Sequence, residues 1–543
     1  MIVMGVNLSH DGSVCVIDSG EVVFYQEEER VTHEKHTTGV INSFVAGMKH
    51  NPTHVIFTGA LPYELDANML FTSLMAASGK IKHFENYAMP EVSFMRDHHL
   101  THASAAFYNS GFEEAAVVII DGAGQSFIDD DFLYRESETL YHASYNKFNV
   151  ISKKVFKQHS RTAYNAISKE LLYKPYLTMC DKELPTKYPV KINDSGMSIG
   201  KMFSKVGINI FNGYHQAGKV MGLSAYGSDN PDHPKAFVNG IPNEDIFTAG
   251  LSNEDLAYRV QKDSLMPVVD LIREAIDESG SKNVCLSGGY FLNCVNNYKY
   301  LKLFPGINFY VEPNSSDAGT ALGAAKYLWH MTNGDYKVRE VESLYMSSPA
   351  DYRYDLRDIR DVVQTGPKEI AEIIANRNVV AIYQGQAEAG PRALGNRSIL
   401  YDPRDPDGRD VVNKIKKREY FRPFAGSVLE DKASEWFDMA TLKSSPYMMY
   451  AVQALDERRN LIPGLQHNDG TSRIQTVNES QNKNYYNLIK EFDKITGVPM
   501  LLNTSFNLAG DTLVQTMDDA IRTCREGGIE FLYCPDINTL ILI

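Results

Sequence analysis

Short apolar runs broken by polar turns open the chain. Ile2–Asn7 and Ser13–Ile17 are rich in β-branched residues, and the turn Ser9-His10-Asp11-Gly12 separates them. Glu21–Tyr25 follows with the same character. Runs of this length bounded by turn residues predict three strands in succession. From Thr37 onward strands alternate with helices. His54–Thr58 reads as a buried strand, His98–Tyr108 as a helix and Ala115–Ile120 as a β-branched strand. Val268–Ile276 is helical just after Pro267, and Asn283–Leu286 is a strand ending in Ser287-Gly288-Gly289. Phe309–Val311 leads into Asp317-Ala318-Gly319-Thr320 and a helix of small residues, Ala321–Tyr327. Recurring strand, glycine loop and helix predict a mixed α/β fold with its loops gathered at strand ends.

The pattern weakens across Met346–Thr365, where polar and charged residues dominate. A domain boundary is expected there. It gives a first domain over 1–345, a linker over 346–365 and a second domain over 366–543. In the second, Pro367–Ala375 predicts a helix and Asn378–Tyr383 a strand. Many short β-type segments then run to Asn538–Ile543, so this domain is β-rich α/β. No internal repeat is visible.

Composition narrows the class. At roughly 100–200 residues per domain, 543 residues imply two to four domains. A net charge of −14 counts against a duplex-DNA binder, which carries a basic face. The six cysteines are scattered, form no CxxC pair and sit mostly in apolar runs. They read as buried thiols of a reducing compartment. The first residues lack a basic leader, and no apolar run approaches membrane-span length. A soluble cytoplasmic protein without a membrane partner is expected.

Candidate chemistry lies in two places. His98 and His102 stand at i and i+4, on one face of a helix. Asp121 ends the next strand and Asp317 lies just past another, each ahead of a glycine. Two imidazoles and carboxylates are a first shell for a divalent metal. An HxxxH pair alone is more often a hydrogen-bonded structural pair than a ligand pair; the two strand-end aspartates tip the reading to metal, given this fold. His10, on the first turn, is a candidate general base because its pKa lies near the working pH. Gly288, Gly289 and the glycines of Tyr214–Gly227 would let backbone approach a ligand, and Lys219 could reach a phosphate or ribose. Turns needed only for packing are the competing reading.

The second place is cationic. Arg392, Arg397, Lys416, Arg418, Arg422 and Arg473 interleave with Gly, Ser and Asn, and Asn503-Thr504-Ser505 adds amide and hydroxyl groups. In an acidic chain such a collection needs an anion to justify it. Arginine forks match phosphate, and lysine adds a compact charge. A solvated surface is the ordinary fate of any one Lys or Arg, but Arg392 and Arg422, flanked by Pro, Ala, Leu and Phe, fit it poorly. No Walker loop is present.

The motifs SHDGS, EEER, HHLTH, DGAG, GKVMGLSAYG, SGGYFLN, SDAGTALGAA, GPRALGNRSI, KKREYFRPFA, DGTSRIQTV and NTSFN stand in one order along nearly the whole chain. Together they resemble the O-carbamoyltransferase family of antibiotic and nodulation-factor tailoring enzymes. The resemblance implies an N-terminal actin-like (ASKHA) domain and a C-terminal YrdC-like α/β domain. It implies that ATP and carbamoyl phosphate give carbamoyl-adenylate in the second, and that a hydroxyl takes the carbamoyl group in the first. Carried onto this chain, the metal ligands are His98, His102, Asp121 and Asp317, with iron as the metal and Mg²⁺ accompanying ATP. His10 is the base for the acceptor hydroxyl. Arg392, Lys416, Arg422, Arg473 and Ser505 bind carbamoyl phosphate and ATP; Lys416 is preferred to Lys417 by its spacing to Arg422. Arg397, Arg418, Asn503, Lys219, Gly288, Gly289 and Asn293 are further expected substrate contacts. Ser224 and Gly426 stand where relatives often have Ala and Pro, and neither removes a chemical group. The expected partner is a small-molecule or nucleotide hydroxyl acceptor, with a homodimer as a further expectation and nucleic acid less favoured. An actin-like sugar kinase or ATPase with a regulatory C-terminal domain is the competing class. The stretches Asp66–Asp97 and Tyr164–Tyr188 are the least motif-like and are expected to shape acceptor choice.

Overall fold

Apolar strands set the frame of the first unit. Ile2–Asn7, Ser13–Asp18 and Glu21–Glu27 form an antiparallel meander. His54–Thr58 pairs parallel to the first of these, and Glu91–Met95 parallel to His54–Thr58. Their inner faces place Met4, Val6, Val14 and Val16 against Phe44, Phe57 and Phe71. The computed structural model describes residues 1–59, 66–78, 89–128, 131–160, 180–181, 184–353 and 359–543. Of the two stretches expected to shape acceptor choice, residues 79–88 and 161–179 lie outside the described residues, as do 182–183.

The same strand order recurs in a second sheet. Glu114–Ile120 pairs antiparallel with Phe132–Ser144, which pairs antiparallel with Lys147–Ser160. On its other side Glu114–Ile120 pairs parallel with Asn283–Ser287, and that strand with Asn308–Val311. Five strands of each sheet thus form a three-strand antiparallel meander extended by two parallel strands from its first strand, and the second sheet adds Ser126–Ile128, Cys180–Asp181 and Val190–Asn193. The sequence shows no internal repeat, yet the topology is duplicated.

Two helices, His98–Asn109 and Thr320–Asn333, pack on each other and against these sheets. Small residues permit close approach. A Cβ on Gly5 would lie 2.1 Å from the Ala321 carbonyl oxygen, and one on Gly323 would lie 1.9 Å from that of Thr101. The helix expected over Val268–Ile276 runs from Leu265 to Ser279, and Pro267 sits inside its first turn, where a missing N–H leaves no hydrogen bond unmade.

The chain divides into two compact units. One comprises Met1–Glu28, His36–Leu292 and Gly306–Val341; the other Glu29–Lys35, Asn293–Pro305 and Glu342–Ile543. The second is built on a ten-stranded mixed sheet. From edge to edge its strands are Asp361–Gln364, Thr539–Leu542, Phe531–Cys534, Val380–Tyr383, Arg397–Tyr401, Met500–Ser505, Ala425–Leu429, Thr471–Val477, Ala451–Ala454 and Phe437–Asp438. The stretch 346–365, expected as a linker, carries the exposed edge strand Asp361–Gln364. It also carries most of Tyr345–Pro349, which pairs with Gln386–Glu388. An edge strand tolerates polar residues on both faces, which explains the weak pattern. The helix Cys294–Leu303 packs on Ala451–Ala454, so Asn293–Pro305 belongs to this unit. The fold is mixed α/β. Among the described residues no helix is long and apolar enough to cross a membrane. Cys15, Cys285, Cys294, Cys524 and Cys534 are buried and free.

Candidate active site

In the first unit four side chains converge. Asp97 accepts a hydrogen bond from the Leu100 amide at 3.1 Å and so caps the helix that carries His98 and His102 one turn apart. Asp121 stands at the end of Glu114–Ile120, and Asp317 begins the short turn that leads into Thr320–Asn333. His98 Nε2 lies 3.3 Å from Asp121 Oδ2, 3.5 Å from Asp317 Oδ1 and 3.2 Å from His102 Nε2; His102 Nε2 lies 3.6 Å from Asp317 Oδ1. All four donor atoms fall within 4.8 Å of one another. For a cation bonded at ~2.0–2.2 Å to imidazole nitrogen and carboxylate oxygen, donors separated by roughly 3.0–3.6 Å are the edges of its coordination polyhedron. The donor set therefore fits a divalent transition metal.

Electrostatics agree. Burial works against charge on His98, but Asp317 and Asp121 outweigh it and raise its pKa well above the usual imidazole value. Burial would likewise push Asp317 up, yet the neighbouring imidazoles hold it well below the carboxylate range. Two carboxylates this close to buried imidazoles mark a centre that wants positive charge.

The surrounding backbone fixes these groups. Gly289 donates its amide to Asp121 Oδ1 at 3.2 Å, and Gly288, at φ 98°, has no room for a Cβ, which would lie 2.3 Å from the Ile120 oxygen. Gly289 thus fixes the Asp121 carboxylate, and Gly288 packs on the Ile120 backbone. Asn7 donates to the Asp317 carbonyl at 3.0 Å, and Ser9 Oγ to Asp317 Oδ2 at 3.1 Å. His10 is exposed, and its Nδ1 lies 3.3 Å from Asp317 Oδ2. Its Nε2 lies 3.9 Å from Asp11 Oδ2. Lys219 lies beside the Phe211 ring, 5.4 Å from its centroid.

In the second unit the cations gather. Burial, then Arg473 and Arg422, press down the pKa of Arg392; burial, then Arg422 and Arg473, do the same to Arg418. Arg422 and Arg473 are lowered as well, by burial first. A guanidinium keeps its proton in proteins, so this crowding measures positive potential that favours an anion. Glu419 Oε2, 3.8 Å from Arg422, is an acid within the group. Lys416 is fully buried, and burial lowers its pKa well below the lysine range, helped by Arg418, Lys35 and Arg422. Its Nζ donates to the Ser505 carbonyl, to Asn507 O at 2.9 Å and to Asn507 Oδ1 at 3.0 Å, with Ser505 Oγ at 3.3 Å.

Three further expected contacts have partners within the protein. Arg397 is fully buried, lies 4.0 Å over the Tyr383 ring and donates to the carbonyls of Gln384, Gly385 and Asn396. Asn503 is buried and donates to Ala393 O, Ser427 Oγ and Gln475 Oε1, so it ties strands together. Asn293 caps the helix Cys294–Leu303 in the second unit by accepting from the Asn296 amide. Sequence reasoning passed over Asn507, although it closes the NTSFN motif, and over Asn7 and Ser9 beside His10.

The family model described as Carbamoyltransferase C-terminus matches residues 371–539, and the one described as Carbamoyltransferase N-terminus matches residues 251–326. Nodulation protein NolO of Bradyrhizobium diazoefficiens is 31% identical over 79% of this chain and 75% of its own length. The chain belongs to the carbamoyltransferase family. It is a transferase enzyme. Nodulation protein NolNO of Sinorhizobium fredii is 29% identical over 95% of this carbamoyltransferase and 76% of its own length. Nodulation protein U of Rhizobium tropici is 27% identical over 98% and 95%. Among solved structures, HypF of T. kodakarensis aligns at 14% identity and a TM-score of 0.39 over 62% of this chain and 48% of that one, a likeness too loose to argue from.

Proposed function

We propose that this carbamoyltransferase is ATP-dependent and works in two half-reactions, one in each unit. In the second unit, carbamoyl phosphate and ATP give carbamoyl-adenylate. Atoms balance when one water enters: phosphate and pyrophosphate leave, and the carbamate oxygen forms the new bond to the α-phosphorus. The observation that carries this reading is the set of crowded, partly buried guanidiniums Arg392, Arg418, Arg422 and Arg473 beside buried Lys416. A small, doubly charged substrate next to a triphosphate needs several cations and a polar cradle, and Ser505 and Asn507 supply the cradle.

In the first unit a hydroxyl of the acceptor attacks the carbamoyl carbon, the bond to the adenylate oxygen breaks and AMP leaves. His10 takes the hydroxyl proton, with Asp317 and Asp11 beside its ring. His98, His102, Asp121 and Asp317 would hold the metal, iron by family resemblance; bound there, it supplies Lewis-acid neutralisation of the charge that builds on the departing AMP phosphate. The duplicated sheet order supports reading this unit as actin-like, and family resemblance supports reading the second as YrdC-like. The acceptor hydroxyl belongs to a natural-product sugar or to a hydroxymethylated pyrimidine nucleotide.

The test is an omission assay. Protein, ATP, Mg²⁺ and carbamoyl phosphate without acceptor are expected to yield carbamoyl-adenylate and pyrophosphate by mass spectrometry, both dependent on carbamoyl phosphate. ADP in their place, independent of carbamoyl phosphate, would refute adenylate formation.

A further inference from the structure

Behind the His/Asp centre lies a fully buried charged group. Glu136 and His99 have no exposed surface and Lys153 has 1%. Lys153 Nζ donates to Glu136 Oε1 and also lies 3.3 Å from Asp97 Oδ2. Thr139 Oγ1 donates to Glu136 Oε1 at 2.9 Å and sits 2.8 Å from His99 Nδ1. The other oxygen, Glu136 Oε2, accepts from the Gln125 amide at 3.1 Å, and the Gly124 amide donates to the Glu136 carbonyl at 2.8 Å. A Cβ on Gly124 would lie 2.4 Å from Glu136 Oε2 and 2.7 Å from His99 Nε2, so the loop is pressed directly onto the group.

These contacts have one common consequence. Asp97 and His99 flank His98, and Lys153 with Glu136 and Thr139 holds both flanks. Residues 124–125 end the loop that starts at Asp121, and Glu136 holds those too. A single buried ion pair therefore ties the helix start that presents His98 to the loop that presents Asp121. We propose that Glu136 and Lys153 are positioning residues for the metal centre: they set the separation of the segments carrying His98 and Asp121, and so its affinity and geometry.

The inference rests on the metal-centre reading, and its test separates the two. Full-length protein stripped of metal is titrated with Co²⁺ alone, whose visible absorption reports coordination geometry. Groups that orient ligands from behind typically change metal affinity 10- to 100-fold. Glu136→Gln/Lys153→Met removes both charges together, which leaves no unpaired buried ion. It is expected to keep the wild-type far-UV circular dichroism, to bind Co²⁺ on the order of 10- to 100-fold more weakly and to shift its absorption bands. Thr139→Val, which deletes only the hydroxyl between Glu136 and His99, is expected to shift the bands in the same direction with a smaller loss of affinity. A folded double variant, or a folded Thr139→Val protein if the double variant does not fold, with wild-type affinity and spectrum overturns the proposal. Wild-type protein that binds no Co²⁺ overturns the metal reading, and this inference with it.

Discussion

Replacing Gly323 by alanine puts one methyl group between two helices. Its carbon would lie 1.9 Å from the Thr101 oxygen, 2.8 Å from the Thr101 carbonyl carbon and 3.1 Å from the Ala105 nitrogen. All three are backbone atoms of His98–Asn109, so no rotamer change relieves them. Restoring ordinary contact near 3.5 Å needs the helices to part by roughly 1.5 Å. Alanine gains about 1 kcal/mol of helix propensity over glycine, while overpacking costs about 1–3 kcal/mol. With rigid helix backbone on the far side the upper figure applies, and a net loss of about 2 kcal/mol is expected. The displaced helix carries His98 and His102, whereas Asp317 precedes the other helix, so the 3.6 Å separation of His102 and Asp317 widens by on the order of 1 Å. Metal–ligand distances tolerate ~0.2 Å, so Co²⁺ binding falls further than stability does. Gly218, in the helix Ala217–Leu223, has nothing within 4 Å of the position of a Cβ, and the same substitution there is expected to stabilise by up to about 1 kcal/mol. Urea midpoints and Co²⁺ titrations of both variants provide the assay. Gly323→Ala with wild-type midpoint and affinity, or Gly218→Ala falling as far as Gly323→Ala, would refute the packing argument.

Other variants probe the remaining chemistry. His10→Asn is expected to keep carbamoyl-adenylate formation and lose carbamoyl transfer; mass spectrometry with and without acceptor separates the two steps. Arg422→Ala, which removes one guanidinium from the crowded group, is expected to lower both by on the order of 10²-fold, the effect of one charge-assisted contact; unchanged adenylate formation would take Arg422 out of the anion site. Burial lowers the pKa of Lys326 from 10.5 to about 8. The unfolded chain therefore binds more protons between those values, and Lys326 contributes stability that grows as pH rises from about 8 to 10.5. Against Lys326→Met, the wild type should gain at most about 1.4 kcal/mol per pH unit in that window, read from urea midpoints. Chelation of a saturated metal centre is expected to lower the melting temperature, since a ligand at ~1,000 times its Kd stabilises by about 4 kcal/mol, and His102→Ala should abolish that difference.

The strands that build the sheets were legible because each is a short apolar run closed by turn residues. Ile2–Asn7 and His54–Thr58 match their expected bounds, and Glu114–Ile120 begins one residue earlier than read. The duplicated sheet order was not legible. The two halves share pairing rather than residues, and their outer strands differ in length, 6 and 7 residues in one sheet against 13 and 14 in the other. Membership of Asn293–Pro305 in the second unit was hidden for a different reason. A helical pattern reports that a face is apolar, but not which strand it packs on, and here that strand comes at Ala451–Ala454.

The metal-type cluster was legible because helical spacing puts His98 and His102 on one face and strand ends put Asp121 and Asp317 at one level. Arg392 and Arg397 show where spacing stops informing. Both stand in GPRALGNRS, but Arg397 opens a strand in register with Tyr383, and its inward position sends the guanidinium onto that ring. Arg392 stays in the preceding loop, where it meets Arg473 and Arg422. Glu136 and Lys153 lie outside every motif in the sequence. Alternation sets Glu136 on the same side as buried Tyr134, and a buried carboxylate demands a partner. Lys153 is that partner, yet only the register, which sets it across from Thr139, brings it within reach. Residues that bind were thus marked by their own spacing, whereas residues that hold the binders were marked only by pairing between strands. Substitutions on the Glu136 side of the centre should therefore alter metal geometry while leaving every motif residue in place.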